Sequence, residues 1–243
     1  MSLCAMITVK PDIFPEQKEA IGKARGMDEK ASIKELFTNK ANLHAMVLLI
    51  GIYAFWNLVA GTMGYFMPYI YETVGGLTAA QANLLQAFLW ILTVAATYFV
   101  FIRLGDKVNR KRLFGIGAAM VTAAWIVLTF GSMRMTELLL FVSLWGIAAG
   151  FEAQAFYGLW AAELFHTKYR AMAQGFMFFV VRIGVGLISL VVPAMITILG
   201  FKTAGGVIIT FLAVHMIIGL LMAPETRGKS LEDIQNERYQ KSG

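Results

Sequence analysis

The chain has 243 residues, of which 58% are hydrophobic and only 15% are charged, and its mean hydropathy is +0.65. These values exclude an ordinary soluble domain of this length and are typical of a polytopic membrane protein. The net charge of +6 does not indicate a nucleic-acid partner, because basic loop residues in a membrane protein act as an orientation signal. The single cysteine, Cys4, excludes an internal disulfide framework.

Residues 1–42 form a polar lead without the apolar segment that a cleavable signal peptide requires. The stretch from Asp28 to Asn39 predicts a short amphipathic helix on the membrane surface. Ser32 and Glu35 have the spacing of a capping box at its start.

The rest of the chain predicts an all-α membrane protein with six transmembrane helices in one bundle, over residues 43–223, and a polar tail over residues 224–243. Gly61, Gly64 and Pro68 interrupt the long first span, as in helices that flex or line a cavity. Ser230 with Asp233 indicates an N-cap on a terminal helix. The predicted spans are Leu43–Tyr71, Thr78–Ile102, Leu113–Phe130, Thr136–Phe165, Ala171–Leu199 and Ala204–Met222.

The lysines and arginines predict the orientation. With an even number of spans, eighteen of them fall on the side of the two termini, and only Arg134 and Lys202 fall on the other. This asymmetry places both termini in the cytoplasm by the positive-inside rule. We therefore expect a multi-pass protein of the plasma or inner membrane.

Two charges lie inside predicted spans, where lipid would otherwise be. Glu152 lies roughly 16 Å along its helix from Glu163, and Arg182 lies roughly 18 Å along the next helix from Arg170. If Glu163 and Arg170 mark the membrane face, both charges lie near the midplane of a hydrocarbon core about 30 Å thick. Because a charge at that depth must be paired or face water, we interpret Glu152 and Arg182 as lining a polar cavity.

Three loop motifs on the predicted cytoplasmic side resemble those of one family. The turn RLGDKVNRKR (103–112) is similar to a D-R-x-G-R-R loop, Glu163-Leu-Phe followed by Arg170 to an E-x-F-P…R motif, and PETRGK (224–229) to a PET-K-G motif. In this order and spacing, over about residues 30 to 235, they resemble the C-terminal six-helix half of a sugar-porter-type major facilitator transporter. The turn departs from the family pattern, because Asn109 replaces the loop glycine.

The resemblance implies one bundle of a major facilitator fold and secondary transport of a small polar solute by alternating access, without enzymatic activity. It also implies a gate latch of charged residues on the cytoplasmic face. The alternative is that these residues are topology anchors and helix caps. The residues expected in the latch are Asp106, Arg110, Lys111, Glu163, Arg170, Glu225 and Arg227.

The family's sugar-binding patterns are absent, so we expect a different ligand. The candidate substrate contacts are Trp56, Asn57, Glu152, Gln154, Tyr157, Trp160 and Arg182. One hypothesis is that Arg182 binds an anionic solute such as a sugar acid while Glu152 titrates. The other is that Glu152 and Arg182 neutralise each other and that Gln154, Asn57 and Tyr157 hold a neutral polyol or sugar.

The remaining features predict no metal, cofactor or catalytic set. His44, His166 and His215 are far apart and fit packing or interface roles better than metal ligation. The expected partners are the solute, the lipid bilayer, and a missing N-terminal half or a second copy of the chain. Protons are a further candidate, although the resemblance places the usual coupling carboxylate in the absent half. The alternative function is a non-transporting binding or regulatory membrane protein, or an inactive fragment of a carrier.

Overall fold

The computed structural model describes residues 33–240, apart from the side chains of residues 62, 63, 65 and 240. Within these residues the chain is α-helical and contains no strand. A helix is present over Ile33–Thr38 of the stretch predicted to be helical, and residues 28–32, with Ser32 of the predicted capping box, lie outside the described residues. The helices are α1 (Ile33–Thr38), α2 (Lys40–Thr73), α3 (Ala79–Leu104), α4 (Arg110–Phe130), α5 (Met135–Ala149), α6 (Ala153–Leu164), α7 (Thr167–Leu199), α8 (Phe201–Met222) and α9 (Leu231–Gln240).

Side-chain caps begin several of these helices, as the sequence permits. The Thr78 side chain accepts from the Gln81 amide in a full capping box at the start of α3, and Asn109 caps α4. The predicted cap on α9 is confirmed, because Ser230 Oγ accepts from the Asp233 amide and donates to its carboxylate at 2.6 Å. Each cap satisfies an amide that the first helical turn leaves without a partner.

Six segments of the described chain are long and apolar enough to cross a membrane, with α5 and α6 counted as one segment. The predicted all-α, multi-pass architecture is therefore confirmed. The first predicted span differs in one respect, because α2 runs unbroken through Gly61, Gly64 and Pro68. A helix of this length can hold a proline when neighbouring helices cover the unpaired carbonyl.

The fourth predicted span is present as one apolar segment, Met135–Leu164, but its helix is interrupted. The helix stops at Ala149 and starts again at Ala153, so that Gly150, Phe151 and Glu152 form an irregular turn within the bundle. Gly150 contacts the backbone of α3 so closely that no side chain fits there. Thr97 begins a π-helical turn of α3 that covers Thr97–Phe101. Its hydroxyl donates a hydrogen bond to the Gly150 carbonyl at 2.8 Å. The neighbouring helix thus supplies a hydrogen bond that the broken helix lacks.

The helices pack so that α8 contacts α4 and α2, α5 contacts α3 and α4, and α7 contacts α2. Large side chains that include Trp125, Trp160, Phe114, Phe141 and Phe156 are fully buried and fill the centre. The outward faces of α3 and α7 carry exposed apolar residues, such as Val94 on α3 and Leu190 on α7. A lipid-facing surface accounts for this exposure, which would be unusual in water.

Candidate functional site

The break between α5 and α6 places Glu152 against a histidine of α8. Glu152 Oε1 contacts His215 Nε2, and both side chains are fully buried. On the other side of the ring, His215 Nδ1 lies 2.7 Å from the Ile52 carbonyl of α2. Because a carbonyl oxygen can only accept, Nδ1 carries a hydrogen. We call these two residues the Glu152–His215 pair.

The surroundings of the Glu152–His215 pair are mostly apolar. The Phe114 ring of α4 lies 5.1 Å from the imidazole ring. Gly117 of α4 faces the carboxylate side chain, and a Cβ at that position would lie 2.8 Å from Glu152 Cβ. Glu152 Oε2 is buried and has no hydrogen-bond partner among the described residues. An acceptor left unpaired in such a site is costly, so it marks a position where a proton or another donor would be stabilising.

A second group of polar and aromatic side chains lies beside this pair, with Gln154 exposed at the bundle surface and the other members buried. The Tyr53 hydroxyl of α2 donates to Gln154 Oε1 of α6 at 2.8 Å, and the Tyr53 and Tyr157 rings stack with centroids 3.9 Å apart. Trp56 stacks beside Tyr53, and the Asn57 amide donates to the Tyr53 carbonyl. Gln154 is exposed while the aromatic rings beneath it are buried. We call Tyr53, Trp56, Asn57, Gln154 and Tyr157 the Gln154 face.

Two of the predicted substrate residues lie elsewhere. Trp160 is fully buried and packs on Phe156 and Phe114, so it belongs to the core. Arg182 is exposed on α7, and its guanidinium lies 5.0 Å from the centroid of the Phe178 ring. The expected cavity position of Glu152 is also not observed, because its carboxylate is sealed against His215. The partner of Glu152 is therefore His215 and not Arg182.

Arg110 is the centre of a second site at the end of the bundle where α4 begins. Its Nη1 donates to the two Glu163 oxygens at 2.7 and 2.9 Å and to Thr226 Oγ1 at 2.6 Å. Its Nη2 donates to Asp106 at 2.8 Å, and its Nε lies 3.4 Å from the Gly105 carbonyl. The guanidinium is 6% exposed and the Glu163 side chain 13%, whereas Asp106 is 85% exposed. We call Asp106, Arg110, Glu163 and Thr226 the Arg110 cluster.

The other residues expected in a latch surround this cluster without entering it. Arg227 donates to the Lys107 carbonyl at 3.0 Å, and Glu225 accepts from the Arg227 amide. Lys111 is half-buried on α4. Within the described chain, Glu225 Oε2 and two nitrogens of Arg170 are buried without hydrogen-bond partners. Arg110 thus joins three segments of the chain through its hydrogen bonds. The Glu225 carboxylate and the Arg170 guanidinium could each form a further hydrogen bond.

A cavity of about 510 Å³ lies next to the cluster, between α2, α6, α8 and the tail. Its lining includes Lys40, His44, Glu225, Thr226 and Lys229. It differs from the Gln154 face, which is built from aromatic rings and uncharged polar groups. No group of three or more His, Cys, Asp or Glu side chains within residues 33–240 could hold a metal ion.

Helix α1 is joined to the bundle at the same end. Leu36 is fully buried, and the Phe37 ring meets Phe176 edge-on at 4.8 Å. A hydrogen bond with Tyr169 and, less strongly, the charge of Lys168 lower the pKa of Glu35. The Lys168 ammonium lies 3.5 Å from this carboxylate. These polar contacts favour the charged form of Glu35 in the docked helix.

Three residues of these sites, Tyr53, Thr226 and His215, were not predicted from the sequence. The sequence pattern that could have identified them differs from one to the next. Tyr53 lies on the same helical stripe as Trp56 and Asn57, at spacings of three and four residues, so the pattern could have found it. Thr226 lies inside the quoted PETRGK motif but has no charge. His215 was assigned to packing, and only the tertiary fold brings it to Glu152, which lies 63 residues away along the chain.

Comparisons with known proteins agree with the loop motifs. A family model described as "Sugar (and other) transporter" matches residues 9–237. The minor myo-inositol transporter IolF of Bacillus subtilis (strain 168) is 48% identical over 197 residues, which are 81% of this chain and 45% of that protein. The probable metabolite transport protein CsbC of the same organism is 32% identical over 81% of this chain and 44% of that protein. The arabinose-proton symporter of Bacillus subtilis (strain 168) is 25% identical over 92% of this chain and 48% of that protein. The chain spans about half the length of the curated relatives that it matches.

Proposed function

Because the chain belongs to the family of sugar (and other) transporters, we propose that it forms one six-helix bundle of a secondary carrier for a neutral polyol or sugar. The second bundle comes from the rest of a longer polypeptide, from another chain or from a second copy. Alternating access in such carriers takes place about a site between two bundles. The solute site of this bundle is the Gln154 face.

The chemistry of the Gln154 face supports this proposal more than any other single observation. The exposed Gln154 amide offers hydrogen bonds to the hydroxyls of a polyol, and the stacked rings beneath it give the site an apolar floor. Gln154 is exposed, and Tyr53 fixes its orientation. A relative that is 48% identical is named as a myo-inositol transporter, so myo-inositol is the first solute to test.

The partner of Glu152 bears on the two substrate hypotheses. The contact of Glu152 with His215 supports the proposal that Glu152 does not take part in solute binding. Arg182 borders the Gln154 face through Phe178, whose ring lies 5.7 Å from that of Tyr53. A neutral solute needs no arginine, and we assign Arg182 to the rim of the site. Inhibition by a sugar acid that is stronger than inhibition by myo-inositol would favour the anionic solute instead.

We further propose that the Arg110 cluster latches its end of the bundle during transport. Arg110 ties the α3–α4 turn, the end of α6 and the segment before α9 into one unit. Charge-assisted bonds of this kind stabilise one arrangement and must break when the segments separate. Arg170 and Glu225, whose buried atoms lack partners among the described residues, could form further bonds when the latch rearranges. Lys111 and Arg227 contribute charge around the latch. On the orientation predicted by the positive-inside rule, this end faces the cytoplasm.

Counterflow of labelled myo-inositol tests the carrier proposal directly. Membrane vesicles from the native host, with and without the chain, contain any second bundle that the carrier needs. We expect saturable counterflow that requires the chain and that falls about tenfold in Gln154→Leu, since one lost hydrogen bond to the solute costs about 1.4 kcal/mol. The matched control is Asn83→Leu, which removes an exposed amide on α3 far from the face. Saturable binding without flux would instead indicate a receptor or regulator.

A further inference from the structure

We propose that the Glu152–His215 pair is a proton-binding site that loads and releases one proton in each transport cycle. This inference rests on the proposed carrier function and adds the proton as a second ligand. The site lies in the membrane interior, at the break between α5 and α6. It is separate from the Gln154 face and from the Arg110 cluster.

The geometry limits how many protons the pair holds. Nδ1 of His215 keeps a hydrogen for the Ile52 carbonyl. The contact between Nε2 and Glu152 Oε1 then needs one further proton, whether it lies on the imidazole or on the carboxylate. With that proton the pair has no net charge, and without it a lone pair on Nε2 faces a carboxylate oxygen. The loaded form thus avoids two acceptors that face each other in an apolar surrounding.

No other ionisable group competes for this proton within the contacts of the pair. From α4 the pair meets Phe114 and Gly117, and from α2 it meets the Ile52 carbonyl. The helices packed around it carry few titratable or charged groups near this depth. These groups are Tyr53 on α2, Tyr98 on α3, Tyr157 on α6 and Arg182 on α7. None of these groups contacts the pair in the hydrogen bonds, ion pairs and ring contacts of the described residues.

The proposal requires the broken helix to open so that the loaded proton can reach water. Glu152 belongs to the irregular turn itself, and this turn is held to the π-helical turn of α3 through Thr97 and Gly150. Discontinuous helices in carriers place ion sites at such breaks, where small rearrangements open them. When the turn opens, the O–H or N–H bond of the pair breaks and the proton passes to a water molecule, which leaves as hydronium. Reprotonation on the opposite side reverses the step, so that atoms and charge balance.

A fixed structural pair and a proton site predict different rankings of conservative variants. Glu152→Gln keeps the shape of the side chain but cannot titrate, whereas Glu152→Asp is shorter and still titrates. A structural role predicts that the glutamine variant is the better replacement. The proton site predicts that the aspartate variant retains more proton-driven uptake, even if its total activity is reduced.

Vesicles from the native host test this inference with an imposed inside-alkaline pH gradient. We expect the wild type to accumulate myo-inositol above its external concentration. In Glu152→Gln and His215→Gln we expect the ratio of gradient-driven accumulation to counterflow to fall by about tenfold or more. The control Glu72→Gln removes an exposed carboxylate at the far end of α2 and should change neither quantity. Wild-type counterflow without gradient-driven accumulation, or accumulation that survives in Glu152→Gln, would overturn the proton site and leave the carrier function standing.

A spectroscopic measurement decides the case in which no myo-inositol flux is found and the carrier function itself fails. Infrared difference spectra of the purified chain between about pH 5 and about pH 9 report buried carboxyl groups that titrate. We expect a carboxyl signal that disappears in Glu152→Gln, changes frequency in His215→Gln and persists in Glu72→Gln. If the wild-type and Glu152→Gln spectra are the same, the pair does not titrate and the proton site is wrong.

Discussion

Replacing Arg110 with glutamine gives the sharpest energetic test of the Arg110 cluster. The guanidinium is 6% exposed and donates to both oxygens of Glu163, a side chain that is 13% exposed. Removing one partner of a buried ion pair costs about 3–5 kcal/mol, because the other charge remains uncompensated. We expect a loss near the lower limit, about 3 kcal/mol, since the cluster lies at the end of the bundle and water can reach Glu163 after relaxation.

The free energy of unfolding in detergent micelles, measured for single and double variants, separates this pair from general disruption. The double variant Arg110→Gln with Glu163→Gln should lose less stability than the sum of the single variants, by at least about 1.5 kcal/mol. Asp106→Asn is the matched control, because its carboxylate is 85% exposed and an exposed ion pair contributes about 1 kcal/mol or less. Additive losses, or a cost for Arg110→Gln no larger than that for Asp106→Asn, would show that Arg110 and Glu163 do not stabilise the bundle as a buried pair.

Three smaller perturbations test other contacts. Gly117→Ala places a Cβ 2.5 Å from Glu152 Cγ, so we expect a loss of about 1–3 kcal/mol by overpacking; an unchanged melting temperature would contradict it. Tyr239→Phe removes the 2.6 Å hydrogen bond from α9 to the buried Asn42, which should cost about 1–3 kcal/mol. We therefore expect faster proteolysis of α9, and an unchanged cleavage rate would show that this hydrogen bond does not hold α9 to the bundle. The folded chain lowers the pKa of Glu35, so its contribution to α1 docking is present at neutral pH and is lost as the pH falls below the ordinary glutamate range, near pH 4. A spin label on α1 should become mobile only on that acidic side, and mobility that rises toward alkaline pH would have the wrong sign.

The sequence predicts the parts of the fold that depend on local pattern. Apolar runs separated by charged turns are sufficient to locate six spans, and the spacing of Ser230 and Asp233 correctly predicts a helix cap. The break at Gly150 was not predicted, because its cause is the close approach of α3 and a hydrogen bond from Thr97. A contact between helices that are distant in sequence leaves no mark on the periodicity of either one.

The candidate site depends even more on contacts between segments that are distant in sequence. Glu152 and Arg182 are correctly expected to lie inside predicted spans, but the direction in which a side chain points depends on how its helix is rotated. The irregular turn brings Glu152 to His215, and the rotation of α7 leaves Arg182 on an exposed face. The resemblance of the loop motifs to a family predicted that Arg110 and Glu163 belong to a latch. Their direct bond joins positions 53 residues apart, and only the fold makes that contact visible.

Photoaffinity labelling in native membranes tests whether the Gln154 face contacts a polyol. A diazirine derivative of myo-inositol, activated by light and followed by peptide mass spectrometry, should label α2 near Tyr53 and α6 near Gln154. An excess of unlabelled myo-inositol should abolish this labelling, and Gln154→Leu should weaken it, while Asn83→Leu should leave it intact. Labelling that excess myo-inositol does not reduce, or labelling confined to the cavity beside Lys40 and His44, would contradict the proposed site.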